Sequence, residues 1–205
     1  PERKRALPRV PSFVGVVTST ESAAYADFCK IMNERWGGMN VEVAHTQVQG
    51  EPAADQMIRA IKYFNTLDVL PDVLVIIRGG GSAEDLQSFN DELLAREIAG
   101  SRIPTLVGVG HEIDHTLADM VADRRAATPT NAAEILVPDR RELIRAAHQQ
   151  ATSLGHQLIQ AIDQYSTRTH EQLEDAYRRI RERLDGTFEH LAVLRVAVSQ
   201  VNPEN

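Results

Sequence analysis

A strand pattern runs directly into a glycine turn in the stretch Asp72-Val73-Leu74-Val75-Ile76-Ile77-Arg78-Gly79-Gly80-Gly81-Ser82. Its solid apolar run predicts a strand buried on both faces, as in a parallel sheet. Glycine lets a ligand approach the main chain closely, arginine offers a charged fork that fits phosphate, and successive N–H groups form an anion-binding concavity. The stretch therefore predicts a phosphate site at a strand end. A tight turn with a surface arginine is the plainer alternative.

The composition indicates a globular protein with one good core, because 42% of the 205 residues are hydrophobic and 25% are charged. A net charge of −7 argues against a broad, non-specific nucleic-acid surface but not against a local site. No apolar run approaches the roughly 20 residues that span a bilayer, and no signal peptide begins at Pro1. Cys29 is the single cysteine, which fits a reducing compartment. We expect a cytoplasmic protein without a membrane anchor.

Strand and helix patterns alternate through the first half of the chain. Strands are predicted at 13–17, 41–46, 73–77 and 104–110, and helices at 21–35, 52–64 and 91–98. Ser19 or Thr20 is the expected cap of the first helix, and Ser82 that of a short helix. This order predicts an α/β fold, with a parallel Rossmann-like sheet covered by helices on both faces, followed by a long helix or coiled-coil extension.

The extension is predicted from a heptad stripe in residues 139–198, which contain no proline. Its apolar members are Leu173, Tyr177, Ile180, Leu184, Leu191, Leu194 and Val198. One helix of this length extends roughly 90 Å, so we expect it to pair with a second copy or another chain; two helices folding back at Gly186 are the alternative. The predicted domains are 1–138 and 139–205.

Three polar segments follow predicted strands, namely Thr18-Ser19, Arg78 to Ser82 and Gly110 to Asp114. In parallel sheets, ligands bind beyond the carboxyl ends of the strands. We therefore expect these segments, distant in sequence, to converge in space.

His111-Glu112-Ile113-Asp114-His115 matches the H-E-x-x-H pattern of zinc hydrolases. The pattern follows a strand immediately, which puts His111 in a turn and leaves Asp114 suited to cap the next helix. Only Asp119 or Asp123 offers itself as a third ligand. A zinc hydrolase is therefore one alternative function.

His111 and Asp114 also suit acid–base chemistry, because histidine titrates near neutral pH and a carboxylate three positions on can orient it. Asp27 lies about two turns into the first predicted helix among small residues, either solvent-facing or open to a ligand. The basic run around Arg124 suits a phosphate path or an ordinary linker equally.

Taken together, these segments resemble the large subunit of bacterial exodeoxyribonuclease VII. The similarity covers roughly residues 9–138 in order, in the following groups: Val17-Thr18-Ser19 with Ala23, Ala24 and Asp27; Val48-Gln49-Gly50; Arg78 to Ser82 with Glu84-Asp85-Leu86 and Phe89 to Glu92; Val109 to Glu112 with Asp114; and Ala122-Asp123-Arg124 with Thr128-Pro129 and Ala132 to Glu134. His115 is not part of that family's pattern, which weakens the zinc alternative.

The resemblance implies a nuclease that cuts single-stranded DNA from either end into short oligonucleotides. It implies a small helical second subunit along the coiled coil, with homodimerisation through the long helix as a further expectation. It also implies no strict need for a metal, with Mg²⁺ optional. The family's N-terminal OB-fold and C-terminal tail are expected to be missing from this chain, which makes weak activity of the fragment alone an expectation.

The family's functional residues map to Asp27, Arg78, His111 and Asp114. Our hypothesis is that His111 activates water or protonates the leaving oxygen, Asp114 orients His111, and Arg78 stabilises phosphoryl charge. The expected phosphate-binding residues are Ser19, Gly79, Gly80, Gly81, Ser82 and Arg124, with Glu84 and Glu112 as secondary candidates. A non-catalytic phosphate-binding scaffold is the rival hypothesis.

Overall fold

The structure is a computed structural model that describes residues 4–80, 83–110 and 115–201, with residues 83–85 and 201 described by backbone alone. The strands are β1 (Phe13–Thr18), β2 (Asn40–His45), β3 (Val73–Ile77), β4 (Thr105–Gly108) and β5 (Arg124–Arg125). The helices are α1 (Ala23–Arg35), α2 (Ala53–Thr66), α3 (Glu92–Gly100), α4 (Leu117–Val121), α5 (Pro129–Leu136) and α6 (Arg140–Val201), with a 3₁₀-helix at Ala83–Asn90.

The five strands of the described residues form one all-parallel sheet in the order β2-β1-β3-β4-β5. The chain leaves β1 on one side to form β2 and returns on the other side to form β3. A crevice therefore opens between the carboxyl ends of β1 and β3, where such sheets bind their ligands. The predicted α/β fold with a parallel sheet and a long helical extension is confirmed.

Helices cover both faces of the sheet. On one face α2, α3 and α4 bury a cluster that includes Met57, Phe64 and Ile98, and on the other α1 and α5 bury one that includes Phe28 and Leu136. Every residue of β3 is fully buried because this central strand is covered on both sides. That coverage is why the strand is solidly apolar rather than alternating.

Three local predictions are wrong. The cap of α1 is Ser22, whose hydroxyl accepts the N–H of Tyr25, and not Ser19 or Thr20. Residues 124 and 125, which fall in none of the predicted strands, form the short edge strand β5. The strand β4 ends at Gly108, two residues before its predicted end.

The helix α6 is continuous for 62 residues, so the predicted alternative of two helices folding back at Gly186 is wrong. Glycine costs a helix interior only about 1 kcal/mol, which this length absorbs. The predicted heptad stripe is exposed throughout, from 48% at Leu194 to 71% at Tyr177. The chain divides into two compact units, Pro1–Arg145 and Ala146–Asn205. Of all the helices within the described residues, none is both long enough and apolar enough to cross a membrane.

An ion pair between Arg5 and Asp123 connects the segment before β1 to the residues around β4 and β5. Arg5 donates from its backbone N to Asp123 Oδ1 and from Nη2 to Oδ2, both at 2.7 Å, and its guanidinium also reaches the carbonyl oxygens of Arg102 and Ile103. The side chain of Asp123 is 6% exposed, and its Oδ2 accepts the N–H of Thr105 as well. Burial raises the pKa of Asp123, but the hydrogen bonds from Arg5 and Thr105 outweigh it and leave that pKa below its usual value.

We expect Arg5→Met to lower the free energy of unfolding by about 1–3 kcal/mol, because it leaves a buried carboxylate without its charged donor. The matched control is Arg96→Met, which removes an ion pair of 2.6 Å to Glu92 that is 73% exposed on both sides and should cost no more than about 0.5 kcal/mol. Urea denaturation of the three proteins measures the difference. Equal losses in the two variants would contradict the assignment.

The same pair predicts a pH dependence. A carboxylate whose pKa is lowered on folding stabilises the fold fully above its unfolded pKa of about 3.9. That stabilisation is lost as the pH falls through the folded pKa. The gap in unfolding free energy between the original chain and Arg5→Met should therefore stay constant above about pH 5 and shrink below about pH 4.

Candidate functional site

A hollow of about 670 Å³ opens at the carboxyl edge of the sheet, at the crevice between β1 and β3. Its lining comes from the loops after β1, β2 and β3 and from the first turns of α1 and α5. The lining residues are Ser19, Ser22, Ala23, Ala24, Asp27, Gln47, Val48, Gln49, Arg78, Gly79, Gly80, Thr128, Pro129 and Thr130. The predicted convergence of the segments after β1 and β3 is therefore confirmed for their described residues.

Arg78 brings a permanent positive charge to this hollow. The residue lines it yet is only 3% exposed, so its guanidinium is held largely out of water. Its backbone N–H donates to the carbonyl of Gly108 at 3.3 Å, which links the start of the turn to β4. A charge in such surroundings acts on an anion with less screening than at a surface.

Gly79 and Gly80 contribute space rather than an unusual backbone conformation. Neither has a positive φ angle; among the glycines that the structure describes, those that do are Gly37, Gly38 and Gly50. A Cβ on Gly79 would lie 3.3 Å from the Cβ of Ala24, whereas one on Gly80 would meet no atom of the described residues within 4 Å. Gly79 therefore lets the turn approach α1, and Gly80 leaves the hollow open.

Two helices begin at the rim of the hollow. Ser22 caps α1, and Thr128 caps α5 by accepting the N–H of Asn131, with Pro129 at the first helical position. The N-terminus of α5 reaches this place because Gly108 has no side chain: a Cβ there would lie 3.2 Å from the carbonyl oxygen of Thr128. Helix N-termini carry partial positive charge, so both favour an anion in the hollow.

Asp27 lines the same hollow from α1, although periodicity alone left its role open. It is exposed, one and a half turns beyond the cap. Of the described lining residues it is the single carboxylate, so the hollow combines one acid with a buried guanidinium. The small size of its neighbours Ala23, Ala24 and Ala26 is the sequence signal that suggested access for a ligand.

The loop after β2 is a part of the site to which sequence reasoning assigned no role. Gln47 donates its backbone N–H to Gln56 Oε1 at 2.8 Å, and the two amides bond again at 3.2 Å. Gly50 has a φ of 85°, and its carbonyl accepts the hydroxyl of Ser88. These bonds link Gln47, which lines the hollow, to α2, and link Gly50, the residue after Gln49, to the 3₁₀-helix. The Val48-Gln49-Gly50 motif was the only signal in the sequence.

Several predicted site residues lie outside what the structure describes. They are Gly81, Ser82, His111, Glu112 and Asp114, together with the side chain of Glu84. Gly110, which directly precedes His111, follows the end of β4 by two residues, and β4 pairs with β3.

The cap of α4 is Thr116 and not Asp114, the predicted cap, which lies outside the described residues. Thr116 caps α4 in a capping box, in which its hydroxyl accepts the N–H of Asp119 and the carboxylate of Asp119 accepts the N–H of Thr116. This arrangement is available because a Thr-x-x-Asp pattern lies just before the helix, two residues beyond Asp114.

The two proposed third zinc ligands are engaged elsewhere: Asp119 in the capping box of Thr116, and Asp123 with Arg5. Among the residues described, no group of three or more His, Cys, Asp or Glu side chains is arranged to hold a metal ion. His115 is exposed.

Arg124 lies in a different hollow from Arg78. It is exposed and lines a depression of about 510 Å³ with Arg5, Arg9, Asp123 and Glu134 among others. The run is therefore divided between two hollows. Thr128 to Thr130 line the hollow of Arg78, whereas Arg124 lines the other one.

The amino-acid sequence is similar to that of one family of known proteins. The family model described as "Exonuclease VII, large subunit" matches residues 1–203. Similar relatives are the exodeoxyribonuclease 7 large subunits of Rhodopirellula baltica, 51% identical over 71% of this chain and 33% of the relative, and of Geobacter metallireducens, 42% identical over 88% and 39%. That of a Thermotoga species is 40% identical over 87% and 44%.

The chain spans between a third and a half of the length of these relatives. The family match nevertheless runs across nearly all of it, through the sheet, the hollow and α6. The chain belongs to the family of exonuclease VII large subunits.

Proposed function

We propose that this chain is the catalytic part of an exodeoxyribonuclease that hydrolyses single-stranded DNA from either end into short oligonucleotides. The observation that carries the proposal is the buried guanidinium of Arg78 at the crevice between β1 and β3, beside two helix N-termini and the carboxylate of Asp27. Such a hollow suits a phosphodiester, because three sources of positive potential face one place. Family membership supplies the reaction class.

In the proposed reaction a water molecule attacks the phosphorus atom, and the bond between phosphorus and the leaving sugar oxygen breaks. His111 either takes the proton of that water or gives a proton to the leaving oxygen, and Asp114 orients His111. Arg78 and the N–H groups of Gly79, Gly80 and Gly81 stabilise the charge that grows on the phosphoryl oxygens. Asp27 orients Arg78 or the water, while Ser19 and Ser82 bind the phosphate.

The remaining assignments concern partners and metal. We assign the exposed stripe of α6 to a helical small subunit, with pairing of two large subunits as the second candidate, because apolar side chains at heptad spacing are stable only when covered. We assign Arg124 to the part of the DNA that lies outside the hollow, because its exposed guanidinium can contact the phosphate backbone there. Mg²⁺ is optional, with Asp27 as its candidate ligand.

The first prediction concerns Arg78. In the full-length large subunit with its small subunit, Arg78→Gln should slow the degradation of labelled single-stranded DNA by at least about 100-fold, as loss of one donor to a transition state does. Arg102→Gln, an exposed arginine on the loop before β4 at the opposite edge of the sheet, is the matched control and should degrade DNA at the original rate. Intact DNA in the unsubstituted sample would contradict the nuclease and favour the phosphate-binding scaffold.

A second prediction separates acid–base chemistry from the zinc alternative. Degradation should continue in a chelator, His111→Ala should abolish it, and His115→Ala should leave it within about threefold, because only the first histidine transfers a proton in the proposed scheme. In a zinc hydrolase both histidines are ligands and both substitutions abolish activity. Loss of activity in the chelator, together with equal loss in the two variants, would overturn the proposed scheme.

A third prediction uses the open space beside Gly80. Gly80→Ala should leave the unfolding free energy unchanged or slightly higher, since the added Cβ meets no atom in the described part of the chain. It should reduce kcat/KM about tenfold or more, since the methyl group enters the space of the substrate. Gly100→Ala at the end of α3, where a Cβ is equally unopposed, is the control and should leave kcat/KM unchanged.

A further inference from the structure

We infer that Thr18, the last residue of β1, is a positioning residue that fixes Arg78 for the proposed reaction. The inference rests on the proposed function, because it assigns to Thr18 an effect on the charge that Arg78 stabilises. Thr18 is fully buried and does not line the hollow, so it acts through its neighbour and not on the substrate.

The hydroxyl of Thr18 bonds to the residue that precedes Arg78. Its Oγ1 donates to the carbonyl oxygen of Ile77 at 2.9 Å, and both residues are 0% exposed. The strands β1 and β3 are paired as far as Val17 and Ile76. The side-chain bond therefore supplies the next link between these strands, at the point where the chain turns into Arg78.

Bonds from two sides consequently hold the peptide unit between Ile77 and Arg78. Its carbonyl oxygen accepts the hydroxyl of Thr18, and its N–H donates to the carbonyl of Gly108 in β4. The carbonyl of Thr18 also accepts the N–H of Thr46 after β2. A peptide plane held at both its oxygen and its nitrogen cannot rotate without breaking a buried bond. This restraint fixes the direction in which the side chain of Arg78 leaves the sheet.

The same sheet edge provides a matched control. Thr46 follows β2, is 3% exposed, and its hydroxyl has no hydrogen-bond partner within the described part of the chain. Exchange of a buried threonine for valine keeps the shape of the side chain and removes the hydroxyl. At Thr18 the exchange leaves the carbonyl of Ile77 without this donor, whereas at Thr46 it removes a hydroxyl that bonds to nothing described.

The test measures kcat and KM for single-stranded DNA in the full-length complex. Thr18→Val should lower kcat about tenfold with KM changed less than twofold, since a misplaced guanidinium loses contacts made in the transition state. Thr18→Ser, which keeps the hydroxyl, should restore kcat to within about twofold. Thr46→Val should match the original enzyme. If Thr18→Val does not fold, Thr18→Ala replaces it in the same comparison with Thr18→Ser.

A double substitution tests whether Thr18 acts through Arg78. When Arg78 is already glutamine, Thr18→Val should cause little further loss, because the group it positions is gone. Multiplied losses in the double variant, or a kcat of Thr18→Val equal to that of the original enzyme, would overturn the inference while leaving the nuclease in place. If the original enzyme leaves DNA intact, the proposed function and this inference both fail.

Discussion

The burial of one guanidinium at the end of the central strand is the constraint on which the site depends. Arginine cannot lose its proton inside a protein, so a residue that is 3% exposed keeps its full charge with little water around it. Its surroundings must be polar and rigid, since a buried charge costs free energy that only oriented dipoles or anions offset. The hydrogen bonds of Thr18 and Gly108 hold the peptide unit before Arg78, so the backbone is rigid at the point where this side chain begins. The N-termini of α1 and α5 add partial positive charge, which makes the hollow favourable for an anion.

Close backbone approach brings these parts together. Gly79 allows the turn after β3 to lie against Ala24, and Gly108 allows the cap of α5 to lie against β4. Small side chains at Ala126 and Ala132, each 3.3 Å from a Cβ built on Gly108, complete that second contact. These two glycines therefore determine distances between elements, whereas Gly50 in the neighbouring loop adopts a positive φ angle.

Sequence patterns predicted the parts of this fold that depend on solid burial. The bounds of β3 were predicted to the residue because five consecutive apolar side chains have no other stable place in an α/β domain. The two arginines of β5 form a strand only because β4 offers an unpaired edge, so their own propensity gave no signal. Ser22 displaced Ser19 and Thr20 as the cap of α1 because the chain turns once more after β1, with the N–H and hydroxyl of Ser22 both donating to the carbonyl of Ser19. The convergence of Ser19 and Arg78 followed from topology, whereas the contribution of Gln47 and Gln49 depends on tertiary bonds to Gln56 and Ser88 that no local pattern encodes.

The two units of the chain differ in whether their apolar side chains are buried. The first unit buries its apolar side chains on both faces of its own sheet. The second consists of the helical residues beyond Arg145, where every large apolar side chain of the stripe is about half exposed or more. A single helix has no opposite surface on which to bury that stripe, and most of the stability of helices in proteins comes from packing an amphipathic face against another surface. Its sequence therefore specifies an apolar contact surface as strongly as that of the first unit specifies a core.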